Sequence, residues 1–205
     1  MLKHCYIKVL SVLYICCCIS FSSKAQHQIS KFDLQWAVLH PFSSIKIKKE
    51  LKVAMKIYQE VKTAKTLDTL EYGGKLDAFR HVFTMALLTK NINTKKLRKL
   101  GIAHEKGNKR LFYKNKLEFG ERADSLSCEM DLLNNELGFE IGKNHKKLSI
   151  NELKLEVINQ IISGKAFYLK RNSENSYVNC NNEPINLKFY IGKWSIPKCL
   201  VRSNF

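Results

Sequence analysis

From residue 45 onward the apolar positions recur at steps of three and four, a spacing that predicts a series of helices. Ile47, Leu51, Ala54, Tyr58 and Val61, with Lys and Glu between them, define an amphipathic helix over residues 45–67. Tyr72-Gly73-Gly74 interrupts the chain. Leu76, Phe79, Phe83, Ala86 and Leu87 form the stripe of a second helix over 76–90. A third, over 94–106, has Asn93 placed to cap its start and Gly107-Asn108 to end it. The apolar residues of 108–122 are irregularly spaced, so this stretch reads as a loop or a short helical turn. Met130, Leu133, Leu137 and Ile141 carry a fourth helix over 126–143. Ser149-Ile150-Asn151-Glu152 is a capping box that starts a fifth, with Leu148 and Leu153 positioned as a hydrophobic staple and Gly164 as its end.

The pattern then changes period. Ile185, Leu187, Phe189 and Ile191 alternate with Asn186, Lys188 and Tyr190, which predicts a strand after an Asn-Asn-Glu-Pro turn. The expected fold is therefore mainly α: a bundle of about five helices over residues 26–170, with a small β-rich appendage over 171–205. Cys180 and Cys199 flank the strand-like segment and are the expected disulfide pair, leaving Cys128 as a lone buried thiol.

The start of the chain has a different layout. Lys3 and Lys8 precede an almost unbroken apolar run from Val9 to Phe21, followed by Ser22-Ser23-Lys24-Ala25-Gln26. This is the arrangement of a secretory signal peptide over residues 1–25, cleaved after Ala25. The alternatives are an uncleaved anchor, which the shortness of the run disfavours, and a lipid attached at Cys16, Cys17 or Cys18. The expected location is periplasmic or secreted, where a disulfide persists. Removing Lys3, Lys8 and Lys24 lowers the formal charge from +17 to +14. The lysines are spread along the chain, which fits a solvated surface. The same excess would attract phosphate-bearing partners, whether a nucleic acid or lipid head groups.

Polar residues also recur at helical spacing. Asp77, Arg80, His81 and Thr84 share one face of the second helix. His104 continues the Leu97, Leu100 and Gly101 line and is expected to point inward, with Glu105 turned about 100° away. Asp131, Asn134, Asn135, Gly138 and Gly142 line the fourth helix beside its leucines. A glycine inside a helix costs about 1 kcal/mol relative to alanine, so two glycines four residues apart imply that another backbone packs closely there. Asp77, His81, His104 and Asp131 offer the mixed nitrogen and oxygen set that suits zinc or another divalent metal. Arg80 would then grip a phosphate or carboxylate, and Asn134 or Asn135 would orient it. The competing reading is a buried salt-bridge and amide network, in which Arg80 pairs with Asp131 or Glu105.

The ordered motifs Asp77-Ala78-Phe79-Arg80-His81, Ala103-His104-Glu105 and Met130-Asp131-Leu132-Leu133-Asn134-Asn135, with Gly138 and Ile141-Gly142, resemble a family of uncharacterised bacterial domains found in secreted and toxin-associated proteins. The resemblance covers residues 72–170. It implies that Arg80, His81, His104, Glu105, Asp131, Asn134 and Asn135 are the characteristic polar set. The chain departs from that pattern at Phe83-Thr84, where an aromatic pair is usual, and at Leu133, where His is usual. A looser similarity is to helical metal phosphohydrolases, whose ordered ligands His81, His104-Glu105 and Asp131 follow, with Glu105 in place of Asp. Three functions are thus expected in competition. One is a metal-assisted hydrolase of phosphate esters, with Glu105 as general base. The second is a structural or partner-binding domain, and the third is an antibacterial or host-directed effector.

Overall fold

The computed structural model describes residues 29–114 and 121–205; the signal-like segment, Leu117 and Phe119 lie outside the described residues. Six helices are present among them: α1 (Lys31–Leu39), α2 (Pro41–Ala64), α3 (Lys75–Thr89), α4 (Thr94–Tyr113), α5 (Ser125–Asn144) and α6 (Ile150–Ile162). They are followed by two short strands, β1 (Phe167–Leu169) and β2 (Leu200–Arg202), paired antiparallel with Tyr168 opposite Val201. The chain is mainly helical with a small C-terminal sheet.

Helix α3 is the axis of the bundle. It packs against α2, α5 and α6, and its Leu76, Phe79, Val82 and Phe83 are fully buried against Tyr58, Val61, Val157 and Ile161. A helix this apolar around most of its circumference is stable only where neighbours surround it. A second core cluster joins Trp36 to Leu88, Leu97 and Phe139, and a third joins Met130 to Leu169 and Tyr177. Helix α6 starts as its sequence requires: the Glu152 amide donates to Ser149 Oγ, the Ser149 amide donates to Glu152 Oε2, and Leu148 and Leu153 enter one core cluster.

Three expectations need correction. First, α1 is an additional helix. Its low amphipathicity hid it, but Ser30 and Asp33 form a capping box at its start, and the Trp36 indole donates to the Lys96 carbonyl. Second, α4 does not end at Gly107-Asn108. A Cβ on Gly107 would lie 2.6 Å from the Ser30 Cβ, so this glycine admits α1 rather than stopping the helix. Third, residues 185–191 are not a strand. They hold a 3-10 turn (Leu187–Tyr190), and Phe189 and Ile191 face solvent, since no second strand lies there to bury an apolar face. The sheet is built instead from β1 and β2.

The Cys180–Cys199 disulfide is formed, and Cys128 is buried in α5. Next to the bridge, the Lys198 ammonium reaches Asp124 Oδ2 at 2.6 Å, with both side chains buried. Asp124 is itself the N-cap of α5, where its other oxygen accepts from the Leu126 and Ser127 amides. Lys198 also sits 3.8 Å from the centroid of the Tyr177 ring. The appendage is thereby tied to the start of α5.

Candidate functional site

Helices α3 and α5 meet backbone to backbone. A Cβ on Gly138 would lie 2.5 Å from the Val82 carbonyl oxygen and 2.8 Å from the Met85 Cβ, and one on Gly142 would lie 2.8 Å from the Thr89 Cβ. The glycine pair read from the sequence is therefore the seam that brings the two polar faces together.

Across that seam, Asp77, His81 and Asp131 converge in the interior. His81 Nε2 lies 3.2 Å from Asp131 Oδ1 and 3.6 Å from Asp77 Oδ1, and one ligand atom from each residue falls within 4.8 Å of the other two. All three side chains are buried. His81 Nδ1 faces the Asn135 amide oxygen at 3.4 Å. A neutral ring that donates its Nδ1 proton there presents the Nε2 lone pair to the two carboxylates. Two carboxylates beside an imidazole in a dry space require positive charge close by, which the Arg80 guanidinium, a proton on His81 or a metal ion can each supply.

Asp77 is held from two sides. The Gly73 amide donates to its Oδ2 at 2.6 Å, and Arg80 donates to its Oδ1 from Nε at 3.1 Å and from Nη2 at 2.5 Å. Gly73 is in the left-handed region at φ +71°, which glycine adopts without strain. Its carbonyl accepts from the Leu169 amide of β1. The interruption read at Tyr72-Gly73-Gly74 is thus a positioning turn, locked by the C-terminal strand. Sequence reasoning missed it, because a Gly-Gly step signals a turn but not what its amide binds. Arg80 keeps more exposure than Asp77, His81 or Asp131.

Of the other predicted site residues, His104 and Asn134 are engaged elsewhere, whereas Glu105 is buried on α4. His104 does not join the cluster: its side chain is partly exposed and lies 3.8 Å from Asp33 Oδ2 of α1. Burial pushes the Asp33 carboxyl up, but the neighbouring His104 ring and the hydrogen bonds with Ser30 outweigh it, holding Asp33 below the usual carboxylate range. Glu105, expected to turn away, is buried and accepts from the Asn108 amide at 3.0 Å. The reversal follows from α1, which occupies the His104–Gly107 side of α4. Gly101, Glu105 and Asn108, spaced by four and three residues, share one face of α4, and Gly101 on that face abuts Leu132 and Asn135 of α5. Asn134 faces β1, donating to the Phe167 carbonyl and accepting from the Phe167 amide. It holds the sheet against α5. Arg80 pairs with Asp77 of its own helix.

The model of a family described as a domain of unknown function, DUF6973, matches residues 34–165, from within α1 to just past α6. The match includes Asp77, Arg80, His81, Glu105, Asp131 and Asn135 and leaves out both strands and the disulfide. No curated protein and no solved structure is significantly similar to the chain. The chain belongs to the DUF6973 family of domains of unknown function.

Proposed function

We propose that the domain is a metal-assisted hydrolase of phosphate esters, with Asp77, His81 and Asp131 as metal ligands and Arg80 as the anion-holding group. The convergence of three buried ligand atoms within 4.8 Å, drawn from two helices, carries this reading. One imidazole and two carboxylates suit zinc or manganese. A divalent ion there would lower the pKa of a bound water, so that its oxygen attacks phosphorus as the ester P–O bond breaks. Arg80, at the more exposed edge, would balance the charge of the phosphoryl oxygens. Glu105, buried on the α4 face that carries Gly101, is the carboxylate we assign to take the water's proton and pass it to the departing alkoxide oxygen. The disulfide supports a working location outside the cytoplasm, as does the signal-like start of the chain.

A second reading is favoured by one observation, the largely buried ion pair of Arg80 with Asp77. Two carboxylates, one guanidinium and a protonated His81 would form a neutral network that fixes helix packing and performs no reaction.

Turnover separates the two. Chelator-treated protein reloaded with Zn²⁺ or Mn²⁺ is expected to hydrolyse p-nitrophenyl phosphate mono- or diesters. His81→Ala should lower that rate by at least ~100-fold, within the range of a lost catalytic group. Absence of turnover with either ion, in folded protein, rejects the hydrolase in favour of the closed network.

A further inference from the structure

We infer that the vertex between α1 and α2 is a docking surface for an anionic lipid membrane. Helix α1 ends at Leu39 and α2 starts at Pro41, so the chain turns sharply at His40. The Ser44 hydroxyl ties the turn by donating to the Ala37 and His40 carbonyls. At this corner Phe42 is 83% exposed, Leu39 76%, Ile45 61% and Val38 58%. Four large apolar side chains thus stand mostly in water within eight residues of one helix–helix corner, a group we refer to as the apolar wedge. Scattered exposed apolar residues are ordinary, but a contiguous group marks an interaction site.

The charge around the wedge selects the partner. Lys49, Lys52 and Lys56 follow Ile45 at steps of four, three and four, so they extend its face along α2; Lys31 and Lys46 are exposed nearby. Residues 29–56 contain six lysines and two acids, Asp33 and Glu50. An apolar tip with a lysine stripe behind it is the arrangement by which a helix lies in the interface of an anionic bilayer, its apolar side chains among the acyl chains and its ammonium groups on the phosphates. A second copy of the chain fits poorly, because two like-charged lysine stripes would be brought together. Among the described residues no helix is long and apolar enough to cross a membrane, so the contact would be peripheral.

The test is sedimentation with vesicles. Residues 26–205 keep every described element, so this chain can be used without the apolar run. It is expected to bind phosphatidylglycerol vesicles, to bind phosphatidylcholine vesicles weakly, and to be released as salt rises. Leu39→Ser/Phe42→Ser should lower the partition coefficient by about tenfold or more, the loss expected from removing two inserted apolar side chains. Lys49→Glu/Lys52→Glu, which leaves the wedge intact, should lower it comparably at low salt. Thermal melting of both variants should match the parent, because the replaced groups are exposed. No binding to phosphatidylglycerol, or binding that both variants retain, overturns the inference. Capture of the chain by polyglutamate with no vesicle binding overturns it too, making the vertex a face for acidic protein.

Discussion

Gly142→Leu is expected to lower the stability of the protein by about 3 kcal/mol or more, enough to unfold much of it if the parent is as marginal as most domains. A Cβ at this position would run into the Ala86 carbonyl, 3.0 Å from the Ala86 Cα and 2.8 Å from the Thr89 Cβ. Two of these three neighbours are backbone atoms of α3, which cannot move aside as a side chain can. Opposed to this is helix propensity, since replacing a helical glycine by alanine gains about 1 kcal/mol. Overpacking costs ~1–3 kcal/mol and rises with the size of the added group. Gly142→Ala should therefore be mildly destabilising and Gly142→Leu severely so. Denaturant midpoints at constant slope measure both. A Gly142→Leu protein as stable as its parent would mean that α3 and α5 are not in backbone contact.

Asp77→Ala is expected to cost about 3–5 kcal/mol, whereas Asp77→Asn should cost clearly less. The buried Asp77 carboxylate accepts from the Gly73 amide and from two nitrogens of Arg80. Alanine removes all three acceptor contacts and leaves a guanidinium with little water access facing a methyl group. Asparagine keeps one acceptor oxygen and the side-chain volume. For a domain of this size each kcal/mol moves the melting temperature by about 2–4 °C, so the alanine variant should melt roughly 6–20 °C below the parent. An Asp77→Ala protein that melts with its parent would show that the Gly73 turn and Arg80 do not depend on this carboxylate.

Much of this geometry was readable in the residues. The three- and four-residue steps located α2, α3, α5 and α6, and the i, i+4 pair Asp77 and His81 placed two ligand atoms on one face. The glycines at 138 and 142 announced the close approach that brings Asp131 to His81. What periodicity cannot supply is the rotation of one helix against another. His104 and Glu105 are neighbours in sequence, and which of them turns inward depends on α1, whose Trp36 and capping box hold it against α4. Residues 185–191 alternate as a strand does, yet alternation buries nothing without a partner strand. The role of Gly73 depends on Leu169, ninety-six residues later, and no local signal links them.

Titration calorimetry of Zn²⁺ or Mn²⁺ into chelator-treated protein tests the cation site at Asp77, His81 and Asp131 most directly. One ion should bind per chain, and at a hundredfold excess over its dissociation constant it should add about 2.7 kcal/mol of stability. Both the heat and the added stability should vanish in His81→Ala and in Asp131→Asn. Failure of either ion to bind folded protein, or binding that survives in both variants, would contradict the account.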